Sequence, residues 1–132
     1  MFKLFSRIKK NEKGQSMVEF ALIAVPLLIL LLGIIEFGWL FNAQIILTGS
    51  AREGARVAAV GGNQEEIQSA VIQHVGNTGL VIADNTISAA YENDEVTISV
   101  SGFINPLVGF FFSSSVELSS QAVMRLEFNN DY

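Results

Sequence analysis

From position 20 to position 41 the chain is apolar at nearly every residue, and Glu36 is its one charge. Its 22 residues would span roughly 33 Å as a helix, and a bilayer core about 30 Å thick takes about 20 apolar residues. The pattern predicts a membrane-crossing helix. Residues 42–60 hold no proline and are rich in alanine, so the helix is expected to run on. Ala51, Gly54, Ala55, Ala58 and Ala59 give that extension a small-residue surface that another backbone can approach closely. Gly61 and Gly62 break it. Asn63, with Glu66 three residues on, then forms a capping box for a second helix. Ile67, Ala70, Val71 and Val75 recur at i, i+3, i+4 and i+8 as its apolar stripe, and Gly76-Asn77 ends it. His74 falls on or beside the stripe and is expected to be a partly buried structural histidine.

Further on, the period drops to two. Strands are expected over 86–91, 95–101 and 116–128, with Asn93-Asp94 as the turn between the first two. In the third, Val116, Leu118, Ala122, Met124, Leu126 and Phe128 share one parity, with Ser120 the polar exception. An antiparallel β-meander packed on the two helices is the economical arrangement, an α+β fold. Residues 103–115 break the alternation. They hold Phe103, Ile104, Leu107, Val108 and the triplet Phe110, Phe111 and Phe112, with Pro106 and Gly109 as breakers. Such a loop either tucks into the core or forms an exposed patch for assembly or for a membrane surface.

Charge distribution sharpens this picture. Five of the eight basic residues, Lys3, Arg7, Lys9, Lys10 and Lys13, precede Gln15. Positive flanks stay in the cytoplasm, so the C-terminal domain is expected outside. Trp39 and Phe41 lie near the outer end of the run, where aromatic rings favour the headgroup region. Without its first fourteen residues the chain would keep three basic and twelve acidic side chains, or −9. That balance excludes a basic nucleic-acid-binding face. The chain has no cysteine and a single histidine, which removes disulfides, thiolate chemistry and multi-histidine metal sites. No nucleophile–histidine–acid set, metal cluster or phosphate loop is legible, so no enzyme and no cofactor are expected.

Seven residues inside the helical half carry candidate roles. Gly14 and Gln15 precede Glu19 by five and four residues, just behind the basic stub. Glu19 is either an interfacial carboxylate reaching water or the partner of an amine on an adjacent subunit. Pro26 lacks an N–H and crowds the carbonyl of Leu22, so a kink or loosened turn is expected there. It is either an ordinary membrane-helix proline or a flex point for packing. Glu36 is an intramembrane acid and so a functional candidate, or it lies shallow enough to reach water. Arg52 and Arg56 share a helix face, and Glu53 is turned about 100° from Arg52. That face is either solvated or a site for an acidic partner or lipid headgroup. A cleaved secretory signal competes with the anchor, with Ala43 and residues 49–51 as mimics of its cleavage site, but the apolar core is too long for one.

The stretch GQSMVEFALIAVPLLILLLGIIEFGWLFNAQIILTGSAREGARVAAVG resembles the TadE family, minor pseudopilins of the Tad (Flp) type IV pilus assembly system. The cleavage region around Gly14 and Glu19, the V-P-L-L run, the I-I-E-F-G exit and the A-R-E-G-A-R helix carry the likeness, and residues 121–127 resemble the family's final strand. The resemblance implies a pilin-like chain in three parts: a basic prepilin leader (1–14), a transmembrane helix with its outward extension (15–60) and an exported α+β domain (61–132). It implies cleavage between Gly14 and Gln15 by a prepilin peptidase and single-pass insertion in the cytoplasmic membrane. The implied partners are another TadE-like pseudopilin, the pilus assembly platform or pilin subunits, and the lipid bilayer. Gln15 stands where commoner type IV pilins carry an aromatic residue, so N-methylation of the new terminus does not follow. An uncleaved, membrane-anchored binding or sensor domain is the alternative.

Overall fold

The structure, a computed structural model, describes residues 12–127. Lys3, Arg7, Lys9, Lys10 and most of the expected leader lie outside the described residues, as does Phe128. Helix α1 covers Glu12–Ala59 and α2 covers Gln64–Val75. Four strands follow: β1 (Leu80–Val81), β2 (Ile87–Glu92), β3 (Glu95–Ile104) and β4 (Val116–Arg125). The chain forms two compact units, one ending at Ile34 and one beginning at Ile35.

Among the described residues the first unit is helix alone. Its side chains from Met17 to Leu31 are almost all exposed. Only 6% of the most apolar window of α1 is buried within the chain. It is long and apolar enough to cross a membrane once. α1 continues through Pro26, where the missing N–H leaves the Leu22 carbonyl without its donor four residues on.

In the second unit the small residues of α1 become the floor of a core. Ala43, Leu47, Ala51, Ala55, Ala58 and Ala59 are buried with Ile67, Val71 and Val75 of α2 and Val96, Ile98, Val100 and Ile104 of β3. A Cβ on Gly54 would lie 2.8 Å from Val71 Cγ2 and 3.3 Å from Ile98 Cγ2. The small-residue surface is thus consumed within the chain's own domain. α1 ends in a Schellman motif: Gly62 N–H donates to Val57 O at 2.9 Å and Gly61 N–H to Ala58 O at 3.1 Å. Gly61, at φ 90°, supplies the left-handed turn. Asn63 caps α2 in the expected capping box.

β3 is the spine of an antiparallel sheet. β4 pairs with it along its whole length, from Glu95↔Arg125 to Ile104↔Val116. β2 and β1 divide its other edge, β2 against 95–100 and β1 against 103–104. Asn93 and Asp94 both have positive φ, 48° and 62°, and make the two-residue turn that matches strand twist. The sheet departs from the expected strands in four places. Thr86 belongs to a 3₁₀ turn, so β2 starts one residue later. β3 runs on through Gly102 to Ile104, because the glycine admits the β1 backbone: a Cβ there would stand 3.0 Å from Val81 O. β1 itself is too short to show a period. β4 stops at Arg125, its pairing carried one residue further by Leu126 N–H on Asp94 O before Glu127 N–H turns to Ala59 O.

Gly54→Val should lower the thermal midpoint of the detergent-solubilised chain, by about 1–3 kcal/mol of overpacking at a buried contact. Asn63→Ala should cost ~1 kcal/mol through the lost cap. Unfolding followed by circular dichroism checks both.

Candidate functional site

Near the C-terminal end of the apolar run, α1 presents one carboxylate to the loop between β3 and β4. Glu36 is 0% exposed. Its Oε2 accepts the backbone N–H of Val108 at 2.7 Å. Its Oε1 is buried and has no hydrogen-bond partner among the described residues. A buried carboxylate is tolerated in proportion to the donors it finds, so this contact sets where the loop can sit. Glu36 therefore does not reach water. Among the described residues Glu36 is a buried acid, whereas Glu19 is exposed.

Next to it, Phe37 gathers the phenylalanine triplet. Its ring centroid is 6.4 Å from that of Phe111 and 6.1 Å from that of Phe112, the latter edge-on at 85°. Phe110 and Phe111 meet edge to face at 5.1 Å. One turn on, Trp39 donates its indole N–H to Asn105 O at 3.2 Å. Trp39 is half-buried against the core and so is engaged by the domain, while Phe41 stays exposed. The loop is neither tucked into the core nor free. Phe112 is half-buried, and Leu107, Val108, Phe110 and Phe111 remain exposed.

A polar seam continues along α1. Gln44 Nε2 donates to Ser119 O at 3.0 Å, and Ser120 Oγ donates to Thr48 Oγ1 at 3.1 Å. Thr48 in turn donates to Gln44 O. Ser120, the odd residue in β4's apolar parity, is there to meet Thr48.

Other sequence candidates fall elsewhere. Gln15 Nε2 donates to Glu19 Oε1 at 3.1 Å, one helical turn apart and exposed. Gly14 and Gln15 lie within α1 itself, so the junction between them is helical here. Arg56 pairs with Glu53 at 2.6 Å, an i, i+3 contact that the sequence offered and that the pairing of Arg52 with Arg56 obscured. Its hydrogen bond holds the Glu53 carboxyl below its ordinary range; both groups lie beyond residues 20–41. Being solvated, the pair adds little stability. Arg52 is exposed and forms no ion pair among the described residues. His74 corrects the expectation of a partly buried side chain. It is exposed, and it lies over Gly49, where a Cβ would stand 2.6 Å from Nε2. Among the described residues no three His, Asp or Glu side chains cluster as a metal site.

Residues 14–56, about a third of the chain, match the family model described as TadE-like protein. This is the family that the sequence resembles, and the matched stretch contains Gly14, Glu19, Pro26, Glu36, Arg52 and Arg56. It ends well before the phenylalanine loop. No curated protein and no solved structure matches the chain.

Glu36→Leu should release Val108. Hydrogen exchange at residues 105–112 is expected to speed up, with a cost of about 1–3 kcal/mol for the stranded N–H. Glu36→Gln, which keeps an acceptor oxygen, should stay close to the parent.

Proposed function

We propose that this chain is a minor pseudopilin of a Tad-type pilus, a structural subunit that acts by membrane insertion, processing and helix packing, with no catalysis of its own. The observation that carries the proposal is the TadE-like match over residues 14–56, which spans the Gly14–Glu19 region and the apolar run together. The exposed apolar surface of α1 before Ile34 supports it, since such a surface needs lipid or other helices around it.

In this reading a prepilin peptidase cuts between Gly14 and Gln15, and the basic stub stays cytoplasmic. Glu19, solvated in the single chain, is free to meet the new amine of an adjacent subunit. Another TadE-like pseudopilin, the assembly platform and pilin subunits are the partners. A cleaved secretory signal fits poorly, because a cut near Ala43 or at 49–51 would fall within helix that forms the domain's core.

Amino-terminal sequencing of protein purified from its native membrane tests the proposal. A chain starting at Gln15 is expected, and Gly14→Glu should leave Met1 in place and abolish piliation seen by electron microscopy. Native protein that retains Met1 would instead favour an uncleaved anchored binding or sensor domain.

A further inference from the structure

The phenylalanine loop has an exposed surface that the assembly role leaves unexplained. From Val96 through Val116 the sequence carries no charged residue. Leu107 is 56% exposed and Phe110 59%, with Val108 and Phe111 exposed beside them. The tip is bounded by polar residues, Asn105 on one side and Ser113, Ser114 and Ser115 on the other. On α1, Ile35, Phe37 and Phe41 are exposed as well.

The depth of this surface follows from one hydrogen bond. Val108 N–H sits on Glu36 Oε2 at 2.7 Å. Glu36 lies five residues inside Phe41, the outer end of the apolar run, which is about 7.5 Å along a helix. The loop backbone is therefore at the level of residues that belong to the apolar run. A carboxylate facing hydrocarbon at that level would be costly. The loop removes it from that surface, since Glu36 is fully buried while the apolar side chains of the loop remain outermost.

We propose that loop 105–112 is a membrane-inserted foot, held at bilayer depth by the Glu36–Val108 hydrogen bond, and that the lipid leaflet on the domain's side covers its apolar surface. The occupant is lipid because the surface is continuous with the exposed apolar face of α1, lacks charge and has polar shoulders, the composition of a segment lying in an interface. This rests on residues 20–41 crossing a membrane. It adds that the domain has a second, non-helical contact with the bilayer.

The absence of cysteine makes single-site labelling clean. The full chain, reconstituted in phosphatidylcholine vesicles, would be spin-labelled separately at Leu107→Cys, Phe111→Cys, Ile29→Cys and Tyr91→Cys. Collisions with oxygen and with an aqueous nickel chelate are then measured. The loop labels are expected to favour oxygen, as Ile29→Cys does, and Tyr91→Cys to favour nickel. Adding Glu36→Leu to Phe111→Cys should shift that label toward nickel. Nickel-accessible loop labels beside an oxygen-rich Ile29→Cys would overturn the foot and leave the anchor standing. A nickel-accessible Ile29→Cys would overturn both. Loop labels shielded from both reagents would mean a protein partner or second copy covers the loop, which overturns the lipid assignment. An unmoved label in the Glu36→Leu background would overturn the role given to Glu36.

Discussion

The close approach of α1 to β3 and α2 is the contact on which the rest of the domain depends. At Gly54 the gap leaves no room for a methyl group, and the buried alanines around it set the same spacing along the helix. A helix this smooth buries little surface per side chain, so its partners supply the bulk: Ile67 and Val71 from one side, Val96, Ile98 and Val100 from the other. The sheet can lie on α1 only because α1 is nearly bare there. That closeness also brings Gln44 and Thr48 within reach of the β4 backbone and hydroxyl.

One helix thus serves two solvents. Up to about Phe41 most of its side chains are large, apolar and exposed, as suits lipid; from Ala43 its buried face is mostly alanine, as a packed core requires. Glu36 and Trp39 lie at the change. Each spends its polar group on loop backbone, Val108 N–H and Asn105 O. Within the second unit, both side chains are therefore held by bonds to the main chain of a segment far along the sequence, without charge partners.

Much of this was legible in advance, and the remainder was hidden for physical reasons. The run at 20–41, the Gly61-Gly62 stop, the Asn63–Glu66 cap and the alternation of Val96, Ile98 and Val100 each follow from a local rule, and each is where the sequence places it. What sequence could not place depended on distant partners. Gly102 looks like a strand breaker until β1 is beside it. His74 looks like a stripe residue until Gly49 opens a seat on the surface. Glu36 stood between two readings because its burial depends on a loop some seventy residues away. Ser120 broke parity for the sake of Thr48, and no periodicity records that.

The anchoring of Glu127 has a practical corollary. Its N–H bonds to Ala59 O, so the last described residues sit at the tail of α1, 23 positions beyond Glu36 and about 35 Å further along the helix axis. A reporter attached at Glu127 itself is therefore carried to the end of the domain away from the Glu36 clamp.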